Sequence, residues 1–477
     1  MSYGRRKIFT DAAEITVNNV VAEVNAALLV HTANRNEIIA LYRYYRNKTA
    51  IESKTKEVRE NINFKIGEAR CLEVTNFYKG YIFGEPIQYI RRERSKSGAT
   101  DDDAIASDIN ALNSYMADAN KASCDSSLGK WMLVGGVGYK MALPNPAWTK
   151  DGDEPPFDVF SCDPRRSFVV YSSDIGEHPM MNVLYAKRKN GDIVFTVYTP
   201  KWVFKFKQGT SDVAVYRNPL DMFPMVEYAA ADYLGVFEPV VPLVDALNAL
   251  QSNRLDDVAQ YINSFLAIIG AQVNEETYQK LNEWKMLCLP EGTDAKYLSV
   301  PLSQSDVQTL KDDLYQAILT ITGTPNRNGG SSTSDTGQAV ELRDGWSSAE
   351  TRAKDIETSF KAAEKEHLKV ILRIMRDTVG TQLKLGDIDP HFTRRNYENI
   401  ATKSQVLISM LNNPWVHPEV AYASCGMFPD PESAYLQGKA WKEEQEKKEA
   451  ERIADSGGIA LPGVQPKAGE PKGASAD

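Results

Sequence analysis

Two stretches of helical periodicity joined by a short insert constrain this chain more than any other feature. The first, within 240–269, repeats Leu243, Leu247, Leu250, Val258, Tyr261, Ile262 and Phe265 at three- and four-residue steps, the period of an amphipathic helix. Asp245, Asn248, Ser252, Asp256 and Asn263 then fall within roughly an 80° arc, which gives this rod a polar, partly acidic face. The second, 303–321, gathers Val307, Leu310, Leu314, Ile318 and Ile321 on one side, with Asp306, Asp312 and Asp313 among the remaining positions. Ser303 and Asp306 resemble a capping box at its start. The insert at 271–302 reads as a short helix with one or two strands, too small to be a separate domain. The expectation is two rods joined at one end, with an acidic face that nothing in the same chain covers.

Composition narrows the class. The chain has 477 residues, room for about three domains. Its 42% hydrophobic and 25% charged residues are ordinary for a globular protein. With 55 basic against 64 acidic residues the net charge is −9, which argues against a surface that grips nucleic acid but leaves room for one past which it moves. The cysteines Cys71, Cys124, Cys162, Cys288 and Cys425 are isolated, as expected of free thiols in a reducing compartment. There is no signal-peptide core and no run of ~18 apolar residues, so a soluble chain made in the cytoplasm, with no membrane partner, is expected.

Before the rods, residues 1–14 are polar and expected to be loosely held. Residues 15–31 read as a helix, with Asn34 as a possible cap for the next. The cluster from Tyr42 to Arg46 reads as half-buried helical tyrosines with exposed arginines rather than a base-stacking strip. Residues 62–78 read as helix and 87–90 as strand. Asp101, Asp102 and Asp103 precede a helix at 104–117, where acids suit the N-terminal dipole better than they suit a metal. From Trp131 to Val226 the pattern turns to strands, with Asn190-Gly191 the strongest hairpin signal. The glycines at 135, 136 and 138 lack the ending of a phosphate loop and are expected in a strand or bulge.

After the rods, 323–345 is Gly/Ser/Thr-rich. A long helix follows, its seam stepping 3-4 from Trp346 through Ala349, Ala353, Ile356, Phe360, Ala363, His367 and Val370 to Ile374. His367 on that seam reads as a core or interface residue, since no second ligand completes a metal site. Three further helical stretches end near residue 454, and 455–477 has a disordered composition. No Walker A, H-E-x-x-H, G-x-S-x-G, zinc-finger or EF-hand pattern occurs, so no catalytic residue, metal or cofactor is assigned.

The ordered set resembles the portal, or head-to-tail connector, proteins of tailed bacteriophages, in the branch typical of long-tailed phages of Gram-positive hosts. The strongest matches are NFYKGYIFGEPIQY (76–89), residues 237–270, and DTGQAVELRDGW (335–346), within a resemblance spanning roughly 15–450. It implies an α+β, mainly helical portal-type fold, with wing, stem, clip and crown, that assembles as a dodecameric ring at one capsid vertex. By that match 1–232 is an N-terminal and strand-rich wing region, 233–270 the first stem helix, 271–302 the clip and 303–326 the second stem helix. The tunnel loop is 327–345, the long wing helix and following segment 346–400, the crown 401–454 and the disordered tail 455–477.

The resemblance also implies partners. These are other copies of the chain, the terminase large subunit, head-completion or adaptor proteins, major capsid and scaffolding proteins, and double-stranded DNA passing without sequence specificity. The expected location is the virion, with host cytoplasm during assembly. Such proteins do not hydrolyse ATP, and the missing Walker A agrees. The rods' shared negative sign suits a channel wall past which a polyanion slides: the first carries Arg254 against Asp245, Asp256 and Asp257, the second Lys311 against Asp306, Asp312 and Asp313. Expected channel-lining residues are Asp245, Asn248, Ser252, Asp256, Asp257, Asn263, Asp306, Asp312 and Asp313. In the tunnel loop they are Arg327, Asn328, Ser331, Ser332, Glu341, Arg343 and Asp344, the last three serving equally well as intersubunit salt bridges or caps. In the clip, Glu275, Glu276, Lys280, Trp284 and Lys285 are expected to face partners. Two other classes stay open: a DNA-processing enzyme with a carboxylate metal site at Asp101–Asp103, and a helical scaffold with no channel.

Overall fold

The computed structural model describes residues 4–57, 60–92, 102–262, 265–269, 279, 294–298, 304–326, 345–393, 400–425, 427–428 and 431–455. The chain divides into two units, Met1–Arg395 and Asn396–Asp477. The first is α+β. Its helices are α1 (Val20–Tyr45), α2 (Arg70–Phe83), α3 (Asp102–Asp118), α4 (Lys121–Gly135), α5 (Val241–Ile262), α6 (Gln304–Thr322) and α7 (Trp346–Thr378). The second unit holds α8 (Ile400–Leu411), α9 (Pro418–Ser424) and α10 (Pro431–Asp455) around a small core of Leu407, Ala421 and Cys425.

A six-stranded sheet runs in the order β1-β5-β6-β7-β8-β9. Its members are β1 (Phe9–Thr10), β5 (Ser167–Ser172), β6 (Pro179–Lys187), β7 (Ile193–Tyr198), β8 (Trp202–Lys207) and β9 (Val213–Arg217). Only β1 pairs in parallel, Phe9 opposite Tyr171; the other pairings are antiparallel. The β6–β7 turn carries Asn190-Gly191, with Gly191 at φ +91°, which a side chain would disfavour. Alternation in β7 and β8 points Phe195, Val197, Phe204 and Phe206 inward against α1 residues Val20, Val24 and Ala27. A second sheet, β10-β3-β4 (Met225–Ala229, Val137–Pro144, Phe157–Cys162), lies against α4 and α7. Two-stranded sheets join β2 (Gln88–Arg91) to β13 (Ile388–His391) and β11 (Phe265–Ile269) to β12 (Asp294–Leu298).

The strands expected at 157–207 are present, and so are the helix after Asp101, the strand at 87–90, the long helix after residue 345 and the three C-terminal helices. The half-buried tyrosines of α1 hold as well: Tyr42, Tyr44 and Tyr45 pack on the core while Arg43 and Arg46 are exposed.

Elsewhere local readings give way to packing. Residues 1–14 are not loose from Gly4 onward, because Arg5 is buried between Glu37 and Glu238 at 3.1 and 2.5 Å and Phe9–Thr10 joins the sheet. Asn34 caps nothing. It lies buried within one continuous α1, accepting from Arg6 N at 3.0 Å and donating to Arg6 O at 2.7 Å. Trp131–Gly135 is the last turn of α4 rather than strand, closed by Gly136 at φ +73°. Residues 62–69 are not helical; α2 begins at Arg70. The first rod ends at Ile262, and Phe265–Ile269 pairs as a strand, since an apolar run of five fits either period and its partner decides. Ala231–Tyr261 is apolar enough by composition to span a bilayer, yet half of its most apolar window is buried inside the protein, as in a core helix. Of the cysteines, Cys71, Cys124 and Cys425 are buried free thiols and Cys162 is half-buried.

His31 stacks on Phe168 with ring centroids 4.4 Å apart. Burial pushes its pKa down to about 4. The unfolded chain therefore binds a proton that the folded chain refuses, and stability falls as pH drops through the mid-6 range toward 4. Between pH 7 and 5 this one group should remove on the order of 2 kcal/mol. His31→Phe should flatten that slope in denaturation titrations; an unchanged slope would exclude His31 as its source.

Candidate functional site

The two rods form an antiparallel pair. Arg254 on α5 donates to Gln308 on α6 at 2.9 Å, and Gln308 donates in turn to Asp312 at 2.9 and 3.0 Å. The β11–β12 pairing, Phe265 opposite Leu298 and Ile269 opposite Asp294, closes one end. At the other end α6 stops in a Schellman turn: Gly323 N bonds Thr320 O and Thr324 N bonds Leu319 O, with Gly323 at φ +69°. Tyr78 of α2 donates to Thr322 O at 2.8 Å, which pins this end to the core. Leu314 packs at the edge of that core and Ile318 within it, beside Val244 and Leu247 of α5. Leu310 and Ile321, on the same apolar side, are exposed.

The polar face of α5 is where the sequence expectation fails. Asp245, Asn248, Ser252 and Asp256 share one face, as predicted, but that face is covered by the same chain. Tyr44 donates to Asp245 at 2.8 Å. The backbone N–H groups of Glu68, Ile66 and Phe64 donate to Asn248, Ser252 and Asp256 at 2.7, 2.9 and 2.8 Å. Asn248 also donates to Thr49 at 3.2 Å, and Lys54 and Lys56 reach Asp256 at 2.8 and 3.3 Å. Asn248 and Ser252 have no exposed surface and Asp256 only 2%, so with this cover in place these residues line no open wall.

The electrostatics follow the contacts. Burial would raise Asp256, but the hydrogen bonds from Lys54, the Phe64 N–H and Lys56 outweigh it and hold the carboxyl below its usual range. Its contacts therefore contribute above the ordinary carboxylate pKa and are lost as pH falls through the lower folded value. Asp245 is shifted upward by burial, against the Tyr44 hydrogen bond.

The remaining acids of the pair, Asp257 on α5 and Asp306, Asp312 and Asp313 on α6, are exposed. On α5, Asp257 shares its stripe with Pro242, Ala246 and Asn253, which are small or polar and also exposed. Asn263, the clip positions Glu275, Glu276, Lys280, Trp284 and Lys285, and the loop positions Arg327, Asn328, Ser331, Ser332, Glu341, Arg343 and Asp344 lie outside the described residues. Asp101 does too, and Asp102 opens α3. Among the described residues no group of three or more His, Cys, Asp or Glu side chains is disposed to hold a metal.

Sequence reasoning missed Tyr44, Lys54, Lys56 and the 64–68 backbone as the cover. The repeat Asn248, Ser252, Asp256 at four-residue steps was the available signal. Three short acceptors in line suit a row of backbone donors as well as they suit solvent.

The profile of the family described as "Phage portal protein, SPP1 Gp6-like" matches residues 29–456. No curated protein matches the chain. One similar solved chain belongs to the "neck of native GTA particle computed with C12 symmetry". It is 13% identical, with 76% of this chain and 90% of that one covered at a TM-score of 0.41.

Proposed function

The chain belongs to the SPP1 Gp6-like phage portal protein family, and from that premise we propose that it forms the dodecameric ring through which DNA enters and leaves a phage capsid. The family is structural and non-enzymatic, in keeping with the sequence, so a metal-dependent nuclease drops out. The location follows the family: the virion, with the host cytoplasm as the place of assembly in this proposal. The observation that carries the reading is the family match across 29–456, within which α5, the β11–β12 pair and α6 occupy the middle.

In this reading α5 and α6 are the stem, the segment between them the clip, 327–345 the tunnel loop, α7 part of the wing and α8–α10 the crown. The clip docks the terminase large subunit during packaging and head-completion or adaptor proteins afterwards. Major capsid and scaffolding proteins surround the ring. The clip and loop residues of the sequence reading remain the proposed contacts for those partners and for DNA.

The stem's proposed channel surface shrinks to its exposed acids, Asp257, Asp306, Asp312 and Asp313. Each phosphate gripped by Lys or Arg adds affinity through counterion release, so carboxylates leave DNA weakly held and free to slide. Replacing Asp257 and Asp313 together by Asn should increase DNA retention by the ring and slow packaging. Packaging at the wild-type rate would reject an electrostatic role for these residues. The ring itself is tested by native mass measurement and negative-stain imaging of the purified chain. About twelve subunits around a hole is the expected result. A monomer at every concentration would overturn the proposal and favour a scaffold without a channel.

A further inference from the structure

The cover on α5 has a regular geometry. Acceptors at 248, 252 and 256 advance about 6.0 Å per step along a helix. Donors at 68, 66 and 64 advance about 6.6 Å per step along an extended chain running the opposite way. The two spacings stay matched over three rungs, so alternate backbone N–H groups of the extended segment find side-chain acceptors where a sheet would offer carbonyls. Ser252 spends its own proton on Asn248 O at 2.7 Å, which leaves its oxygen to accept from Ile66.

Little apolar surface holds this segment down. Ile62 is buried, but Phe64 is 41% exposed and Ile66 only half-buried. The opposite side of α5 is anchored independently, through Val244 and Leu247 in the main core. The attachment is therefore almost wholly polar: three backbone bonds to α5, the Asn47 bond to Gly67 O at 2.9 Å, the Gln251 bond to Glu68 at 2.9 Å, and bonds to 52–56 from Lys65 to Glu52 O at 2.7 Å, Asn63 to Lys54 O at 3.2 Å and Lys56 to Ile62 O at 3.3 Å. Water can replace each of these without unfolding the helix beneath. Lys54, Lys56 and Thr49 lie outside this segment and stay beside Asp256 and Asn248. What its departure removes is the backbone donor at each of Asn248, Ser252 and Asp256, which opens those three acceptors to water.

We infer that residues 62–68 are a releasable strap that docks on α5 and leaves it as one unit, switching that helix face between covered and open. The rungs share one continuous backbone, so loss of the Asp256 end disturbs the alignment of the other two. This device is independent of the ring reading, because it concerns contacts within one chain.

Residue-resolved amide hydrogen exchange on the full-length protein tests it. In the wild type, the amides of Phe64, Ile66 and Glu68 should exchange at one common rate, faster than those of Val244 and Leu247. Asp256→Asn should accelerate all three together by roughly tenfold, with α7 protection unchanged as the sign that the fold is intact. Ser252→Ala supplies the same readout from the middle rung should the first variant fold poorly. Acceleration of Phe64 alone in Asp256→Asn would overturn the strap in favour of independent bonds. Exchange of all three only at the rate of the α5 core amides would overturn release.

Discussion

Glu364→Ala should cost about 3–5 kcal/mol of stability, the range for removing one partner from a buried charge cluster. Glu364 sits on α7 with no exposed surface. One carboxylate oxygen accepts from Tyr89 at 2.5 Å and lies 3.1 Å from Lys121; the other accepts from Lys140 at 2.5 Å and Tyr228 at 2.6 Å. Asp125 completes the set, paired with Lys121 and, at 2.8 Å, with Lys140. Two lysines and two acids balance. Without Glu364, two buried ammonium groups face one carboxylate, and two tyrosine hydroxyls lose their acceptor. Chemical denaturation of wild type and variant measures the loss. Glu366→Ala, two residues on, removes an exposed Lys369 pair and should cost no more than about 0.5 kcal/mol. A Glu364→Ala loss below about 1 kcal/mol would mean that the lysines reach solvent.

The cluster also fixes a direction with pH. Burial favours the neutral acid, yet Lys121 and Lys140 hold Glu364 well below its ordinary value. Its contribution is present above the unfolded carboxylate pKa and disappears as pH falls through the lower folded one. His367, one turn further on, is pushed down first by burial and then by Lys140, so it stays neutral beside the lysines. Both groups make the fold acid-sensitive. The cluster ties α4, β2, β3 and β10 to one point on α7, which fixes the register of the long helix by charge as well as by its apolar seam.

The seam was legible in the sequence because it repeats: Ala349, Ala353, Phe360, His367, Val370 and Ile374 are all buried. Glu364 was not, because one charged residue among KAAEKEHLK carries no period, and its partners lie at 89, 121, 140 and 228. The same contrast runs through the stem. The arc of Asp245, Asn248, Ser252 and Asp256 is a local property of a helix and could be read. What covers it is an aperiodic stretch nearly 200 residues earlier, held by backbone N–H groups that are identical in every sequence. Reading Trp131–Gly135 as strand failed for a related reason. An apolar run flanked by glycines suits a buried helix end or a strand, and only the packing of α4 against α2 and β3 separates the two.

Gly136→Ala should be among the most damaging single-methyl changes in the protein, costing about 3 kcal/mol or more. Gly136 ends α4 at φ +73°, donating to Met132 O at 2.9 Å and accepting from Ala230 N at 2.9 Å. A Cβ there would lie 2.0 Å from Tyr233 O, a backbone atom that cannot swing aside. Its neighbours have little freedom to yield. Asp232 and Tyr233 already occupy left-handed conformations at φ 53° and 54°, and Val236 N is bonded to Leu133 O at 2.7 Å. The strain should therefore pass along 233–240 into the first turn of α5, the start of the stem. Gly191→Ala is the matched control: φ is +91° there, but nothing lies within 4 Å of the added carbon, so only the backbone cost of about 1 kcal/mol is expected. Denaturation midpoints of the two variants give the difference, and amide exchange at Val244 and Leu247 shows whether it reaches the stem. Equal losses would mean that the Tyr233 carbonyl moves away freely, and that the α4–β3 junction does not set the position of α5.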